Sequence, residues 1–298
     1  MSQSPAFLRA DLFSRLGSIP RRDSDYSYSA TDAFHHFNVD AETLGAMRRA
    51  GLSVDGPSGQ DLYTRFDLHY LGIRLGFARQ HLWAIGLWRR SLDRFSSRAA
   101  TQVRVTYVPQ MPDVPAGAVG DVMLDGGVRR RVQLLHNEPA CVIEPIMIRD
   151  WPAIPADIVS VLQEVASYEF CLMPPRLRGD TAMARDLQLL ECWTAAKLIV
   201  DACEDLGHEA HIAHGLMIVL PFSNPHTWAE ISVDGIWTPV DPLMITMMQR
   251  HATLDVQRWP CHRSLGPLLA RMVVAEAPPP LVSIDGEPVA ATYRTCVG

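Results

Sequence analysis

Residues 189–243 constrain the fold more than any other part of the chain, because their periodicity switches once, from helical to extended. Apolar Ala195, Leu198, Ile199, Ala202 and Leu206 recur at helical spacing with Lys197, Asp201 and Glu204 opposite them, and Gly207 stands where a helix C′ residue is favoured. Cys192 therefore falls in or near the first turn of a helix. Beyond Gly207, Ala210, Ile212 and residues 216–220 read as a largely buried strand, closed by Pro221 and the turn-rich Ser223-Asn224-Pro225. A second strand is expected over residues 226–233. Asp234-Gly235 is a strong two-residue hairpin signal that returns the chain along residues 236–240 to a stop at Asp241-Pro242. The order helix, strand, strand, strand predicts an α+β fold with a helix packed on an antiparallel sheet.

Three side chains on this scaffold have the chemistry of a thiol triad. A thiol at a helix N-terminus feels the positive end of the macrodipole, which favours thiolate, and a nearby imidazolium acts in the same sense. Cys192 is the candidate nucleophile. His226 opens the second strand, and Asp241, ending its hairpin partner, can approach the same imidazole from behind, so the three supply nucleophile, acid/base and orienting carboxylate. Periodicity alone does not show that they meet in space.

The residues do match a known pattern. Cys192-Trp193 at a helix start, His226-Thr227-Trp228-Ala229-Glu230 on a strand and Trp237-Thr238-Pro239-Val240-Asp241-Pro242 at a strand end resemble the core of the transglutaminase-like superfamily of papain-like thiol enzymes. The resemblance covers about 55 of the 298 residues. It implies Cys192 as nucleophile, His226 as acid and base, and Asp241 as the residue that holds the imidazole. Relatives often carry a small residue two positions before the Cys, where this chain has Leu190, so the acyl pocket is expected to differ in shape.

The implied chemistry is attack of Cys192 on an amide, ester or thioester carbon to give an enzyme-linked thioester, resolved by water or by an amine. Backbone N–H groups at the start of the helix are the natural oxyanion donors, worth about 3 kcal/mol each. Trp193 and Trp228 are the side chains named as oxyanion or pocket candidates, Trp193 as a wall of the site and Trp228, like Trp237, also a candidate packing residue of the hairpin. The expected partners are an acyl donor (peptide, amide or carrier-bound thioester) and an amine or water acceptor. An amide-forming acyltransferase or amidase is favoured. The alternatives are an intracellular cysteine peptidase and a non-catalytic interaction module of the same fold.

Composition narrows the remaining classes. At 48% hydrophobic and 20% charged, the chain can bury a sizeable core. A formal net charge of −6, with no basic cluster beyond Arg129-Arg130-Arg131, argues against nucleic acid as the main partner. Six cysteines without paired spacing read as thiols in a reducing compartment. Residues 1–5 show no basic, then apolar, leader pattern, and the apolar segment 71–92 is broken by arginines, so a cytoplasmic protein without a membrane span is expected. His208, His211 and His214 are three apart, which on a strand sends them to opposite faces, and Cys261-His262 lacks a second pair at zinc-finger spacing. Neither a metal nor a cofactor is expected, and no phosphate loop or dinucleotide fingerprint is present.

Upstream, Thr31 and Asp40 both look like N-caps, the latter for a helix over residues 41–50. A Gly/Pro-rich turn over residues 55–59 precedes the longest helical signal, residues 61–95, in which Gly72 and Gly76 mark close packing or a break. The aromatic residues of that segment are assigned to core packing, and His69 and His81 to satisfied or exposed polar positions. Alternation predicts a strand over residues 101–109, a hairpin around Asp125-Gly126-Gly127, and a helix from Pro155 to about residue 168 followed by a loop over residues 171–179. The change of texture near residue 149 suggests an accessory region over residues 1–148, helical and then strand-rich, ahead of a catalytic core over residues 149–298.

Overall fold

The computed structural model describes residues 10–22, 25–55, 61–111 and 117–298. The leader reading of residues 1–5, most of the turn at 55–59 and most of the link before Gly117 lie outside the described residues. In chain order the elements are α1 (Ala10–Gly17), β1 (Tyr26–Tyr28), α2 (Ala30–Phe37), α3 (Ala41–Arg49), β2 (Tyr63–Thr64), α4 (Arg65–Arg74), α5 (Arg79–Phe95), β3 (Ala100–Pro109), β4 (Ala118–Met123), β5 (Arg129–Leu134), β6 (Cys141–Ile143) and β7 (Ile146–Ile148). They continue with α6 (Ala156–Ser167), β8 (Glu169–Phe170), α7 (Thr181–Leu187), β9 (Leu189–Leu190), α8 (Cys192–Asp205), β10 (Ala210–Met217), β11 (Phe222–Val233), β12 (Ile236–Val240), α9 (Pro242–Ala252), β13 (Leu269–Val274), β14 (Val282–Ile284), β15 (Glu287–Pro288) and β16 (Ala291–Val297). The fold is α+β.

Two compact units divide the chain, one made of residues 1–85 and 168–191, the other of residues 86–167 and 192–298. The texture change near residue 149 lies inside the second unit.

In the first unit α2 is capped by Ser29, whose side chain accepts from the Asp32 N–H while the Asp32 carboxylate accepts from the Ser29 N–H. That reciprocal box outcompetes Thr31, the cap expected from the sequence, because Asp32 sits three residues after Ser29. Asp40 caps α3 as expected. The helical signal over residues 61–95 is two helices. The chain turns at Gly76 (φ +82°), and Gly72 lets α5 begin close by, since a Cβ there would lie 2.9 Å from the Ala78 Cβ. His69 and His81 are not separate polar residues: their rings meet edge-on at 4.5 Å, beside Phe37, with Nδ1 of each buried and unpartnered. Burial, with His81 and Arg65 adding to it, pushes His69 down to about 3, so the imidazole stays neutral.

The second unit is built on a curled antiparallel sheet in the order β13-β10-β11-β16-β3-β6, with β12 on β11 and β7 on β3. A smaller sheet, β15-β14-β4-β5, is formed by the predicted hairpin around residues 125–127 and by a second one at Asp285-Gly286. α8 packs on β10 and β11, and α6 packs on α8 and α9. The buried residues of α8 are Thr194, Ala195, Ala196, Leu198, Ile199, Val200 and Cys203, so Ala195, Leu198 and Ile199 of the stripe read from periodicity are buried, whereas Ala202 is half-buried and Leu206, past the end of the helix at Asp205, is exposed.

β11 departs most from expectation. It starts at Phe222, so the residues read as a turn, Ser223-Asn224-Pro225, are strand. Phe222 and Ser223 pair with Arg294 and Tyr293 of β16, and the Ser223 and Thr295 hydroxyls meet at 2.6 Å. The Pro225 ring removes only one donor there, where β11 pairs with Leu216 of β10.

Gly215 of β10 pairs with His226 of β11 on one side and Arg271 of β13 on the other. A Cβ at this position would lie 2.1 Å from the Ala270 carbonyl oxygen and 2.9 Å from the Met272 nitrogen, both backbone atoms that cannot swing aside. Gly215→Ala is expected to lower unfolding free energy by about 1–3 kcal/mol, read as a lowered urea midpoint with unchanged slope.

Candidate functional site

Cys192, His226 and Asp241 all belong to the second unit, and its topology brings them together. Cys192 opens α8, whose first N–H groups have no intrahelical partner. α8 ends at Asp205, Gly207 (φ +82°) reverses the chain, and β10 runs back beside β11, which places His226 at the helix N-terminal end. The Asp234-Gly235 turn has φ of +50° and +77°, the primed hairpin geometry, and returns β12 alongside β11 to Asp241.

The His226 imidazole is the centre of the cluster. Its Nε2 lies 2.6 Å from Asp241 Oδ2, and its side chain is hydrogen-bonded to Cys192. With Nε2 engaged by the carboxylate, Nδ1 is the nitrogen left for the thiol. The His226 and Asp241 side chains are 6% and 3% exposed, so this pairing operates in a low dielectric. Burial alone disfavours the imidazolium, but the hydrogen bonds from Asp241 and Cys192 and their charges outweigh it, and His226 is raised to about 10.

Asp241 has a second duty. Its Oδ1 accepts the Met244 N–H at 2.9 Å, which makes Asp241 the N-cap of α9, with Pro242 at the first helical position. Both carboxylate oxygens are therefore fixed.

The two tryptophan candidates take supporting positions. Trp193 donates its indole N–H to the Glu276 carbonyl at 2.9 Å. Trp228 is 1% exposed, donates to Glu230 Oε1 at 3.1 Å, and lies nearly parallel to His226 at 6.2 Å. Neither N–H is left for an oxyanion. Trp228 instead walls the imidazole.

Three features of the site escape a reading of the sequence. His214 is buried beside the cluster, its Nε2 donating to the Ala275 carbonyl at 2.8 Å and its Nδ1 accepting from Thr227 at 2.9 Å. Burial holds it below the usual imidazole value against the pull of that carbonyl, with the charge on His226 adding to the effect, so one imidazole is kept protonated and its neighbour neutral. Residues 275–276 thus anchor both His214 and Trp193 through main-chain carbonyls, which carry no residue-type signal. Glu230, the last residue of the His-x-Trp-x-Glu pattern, accepts from Trp228, from His211 at 3.0 Å and from Arg271, and ties β10, β11 and β13 together.

The remaining histidines of β10 and its lead-in go to separate partners, His208 to Asp157 and His211 to Glu230. Among the described residues no group of three or more His, Cys, Asp or Glu side chains is placed to hold a metal ion, and no helix is long and apolar enough to cross a membrane. None of the six cysteines is in a disulfide. Cys171 and Cys203 are buried, and burial raises both thiols, Cys203 to about 11, whereas Cys192 is partly accessible.

Neither protein-family models nor curated proteins give a match to this chain. Among solved structures, a "Putative Cysteine Protease" from Cytophaga hutchinsonii is similar over 67% of this chain and 91% of its own, at 12% identity and a TM-score of 0.36. At that level the likeness carries no argument about this chain, and the functional reading rests on the geometry above.

Asp241→Asn separates the two duties of this residue, because Asn caps a helix about as well as Asp but carries no charge. A group whose folded value is raised contributes stability that is full below its unfolded value near 6.5 and is lost as the pH climbs through about 10. The substitution is expected to flatten the pH dependence of stability between 6.5 and 10 and to bring the His226 NMR titration down by more than one unit, with α9 intact by circular dichroism.

Proposed function

We propose that this protein is a thiol enzyme that transfers or hydrolyses an acyl group through a Cys192 thioester. The observation that carries the reading is the His226 imidazole, held between the Cys192 thiol and a buried, doubly fixed Asp241 carboxylate at the start of a helix. A structural histidine needs neither the thiol nor a carboxylate directed at its far nitrogen.

In this reading the Cys192 sulfur, as thiolate beside the His226 imidazolium, attacks the carbonyl carbon of an amide or thioester. The oxygen takes up the charge and is met by backbone N–H groups at the start of α8. As the carbon–leaving-group bond breaks, His226 Nδ1 gives its proton to the departing amine or thiol, and the acyl group remains on Cys192. An amine or water then attacks the thioester, His226 accepts its proton, and the thiolate is restored. Asp241 stabilises the imidazolium and fixes the ring. Amide formation or amide hydrolysis is the favoured outcome, the partition being set by which acceptor reaches the thioester.

The test is the pH dependence of iodoacetamide alkylation at Cys192, read by site-resolved mass spectrometry. Cys192 is expected to react at pH 6, well below an ordinary thiol near 8.5. His226→Ala should remove that advantage, slowing the reaction at pH 6 by roughly tenfold or more, while Cys261 and Cys296 are unchanged. If Cys192 reacts no faster than those two and the substitution changes nothing, the triad is unassembled and the enzyme reading fails. With an aryl thioester as donor, single turnover in the presence of an amine divides transferase from hydrolase by product, and Cys192→Ala should abolish both.

A further inference from the structure

A cleft of ≈ 340 Å³ in the second unit contains none of the three triad residues. It opens over the Glu230 end of the sheet, four residues along β11 from His226, a separation of about 13 Å at strand rise. The buried Trp228 stands between them.

Two indoles wall this cleft, and each is held by a neighbour. Trp151 donates its N–H to the Ile148 carbonyl at 2.9 Å and lies against the backbone at Gly266, where a Cβ would come within 2.2 Å of the indole. Glycine there makes the room that the ring occupies. Trp237 packs on the His211 ring at 4.0 Å, and His211 is held in turn by Glu230. Ile146, 62% exposed, forms an apolar lip.

The charge lining the cleft is unbalanced. Three carboxylates, Asp125, Glu144 and Glu230, face one guanidinium, Arg271, and Arg271 is already committed to Glu230. Glu144 pairs with Arg104 yet stays 44% exposed, and Asp125 is exposed and has no ion-pair partner among the described residues. Two aromatic walls with a net negative charge at the mouth match a cation on an apolar stem, because an indole attracts the cation and the exposed Asp125 carboxylate neutralises it. An anion would meet the exposed Asp125 carboxylate, which has no ion-pair partner among the described residues, and the half-exposed Glu144.

We propose that this cleft is a binding site for an amine or guanidinium borne on an apolar stem, distinct from the thiol site. The site stands independently of the acyl chemistry proposed above. The probe is phenethylammonium, compared with neutral 2-phenylethanol and anionic phenylacetate, followed through the indole N–H signals of the full chain by NMR. Phenethylammonium is expected to shift the Trp151 and Trp237 signals saturably. The alcohol should bind roughly tenfold more weakly and the anion not measurably. Asp125→Asn with Glu144→Gln, both at exposed positions, should weaken phenethylammonium by roughly fivefold or more and leave the alcohol unchanged. The shifts should persist in Cys192→Ala. Equal binding of all three probes, no saturable shift at millimolar amine, indifference to the double substitution, or loss in Cys192→Ala would each overturn the assignment.

Discussion

One carboxylate joins the elements of the candidate site. Asp241 ends the hairpin, starts α9 and holds His226, so a single side chain sets where a strand stops, where a helix begins and which way an imidazole faces. The orientation of α9 matters electrostatically as well. One of its first N–H groups, that of Met244, meets Asp241 Oδ1, and the Asp241 carboxylate is among the groups that raise His226 despite its burial. α8 presents its own N-terminus to the thiol. Two helix starts therefore converge on one imidazole, one through the carboxylate and the other through the sulfur.

The surroundings keep that charge in place. His226 and His214 belong to paired strands and lie close enough to influence each other, yet they are held in opposite protonation states by what each touches: a carboxylate and a thiol for the first, a carbonyl and a hydroxyl for the second. Glu230 plays the structural counterpart of Asp241. Its carboxylate is nearly as buried, but its donors come from its own strand and two others, and it braces the sheet rather than an imidazole.

What was legible in the sequence is what local chemistry determines. The Cys192 helix start, the Gly207 reversal, the Asp234-Gly235 turn and the stop at Asp241-Pro242 depend on residues within a few positions of one another, and each is where the pattern places it. Thr31 and Ser29 show the limit of a cap read from one residue, since the decisive partner was Asp32. Ser223-Asn224-Pro225 has turn composition, but Asn224 and Pro225 are held as strand by β10, and Ser223 by a strand some seventy residues later. His69 and His81 carry no signal of their meeting, because the helix break at Gly76 is what folds one onto the other. The carbonyls of Ala275 and Glu276 are invisible by nature, as every residue has one.

The pairing of β11 with β16 has a temporal side. The strand that carries His226 is seated at its beginning by residues 293–295, which leave the ribosome after the thiol, the imidazole and the carboxylate have all been made. During synthesis the nucleophile precedes its foundation by about a hundred residues, roughly five to twenty seconds at ordinary elongation rates. A nascent chain therefore holds the thiol, the imidazole and the carboxylate before the strand that seats the start of β11 has been made.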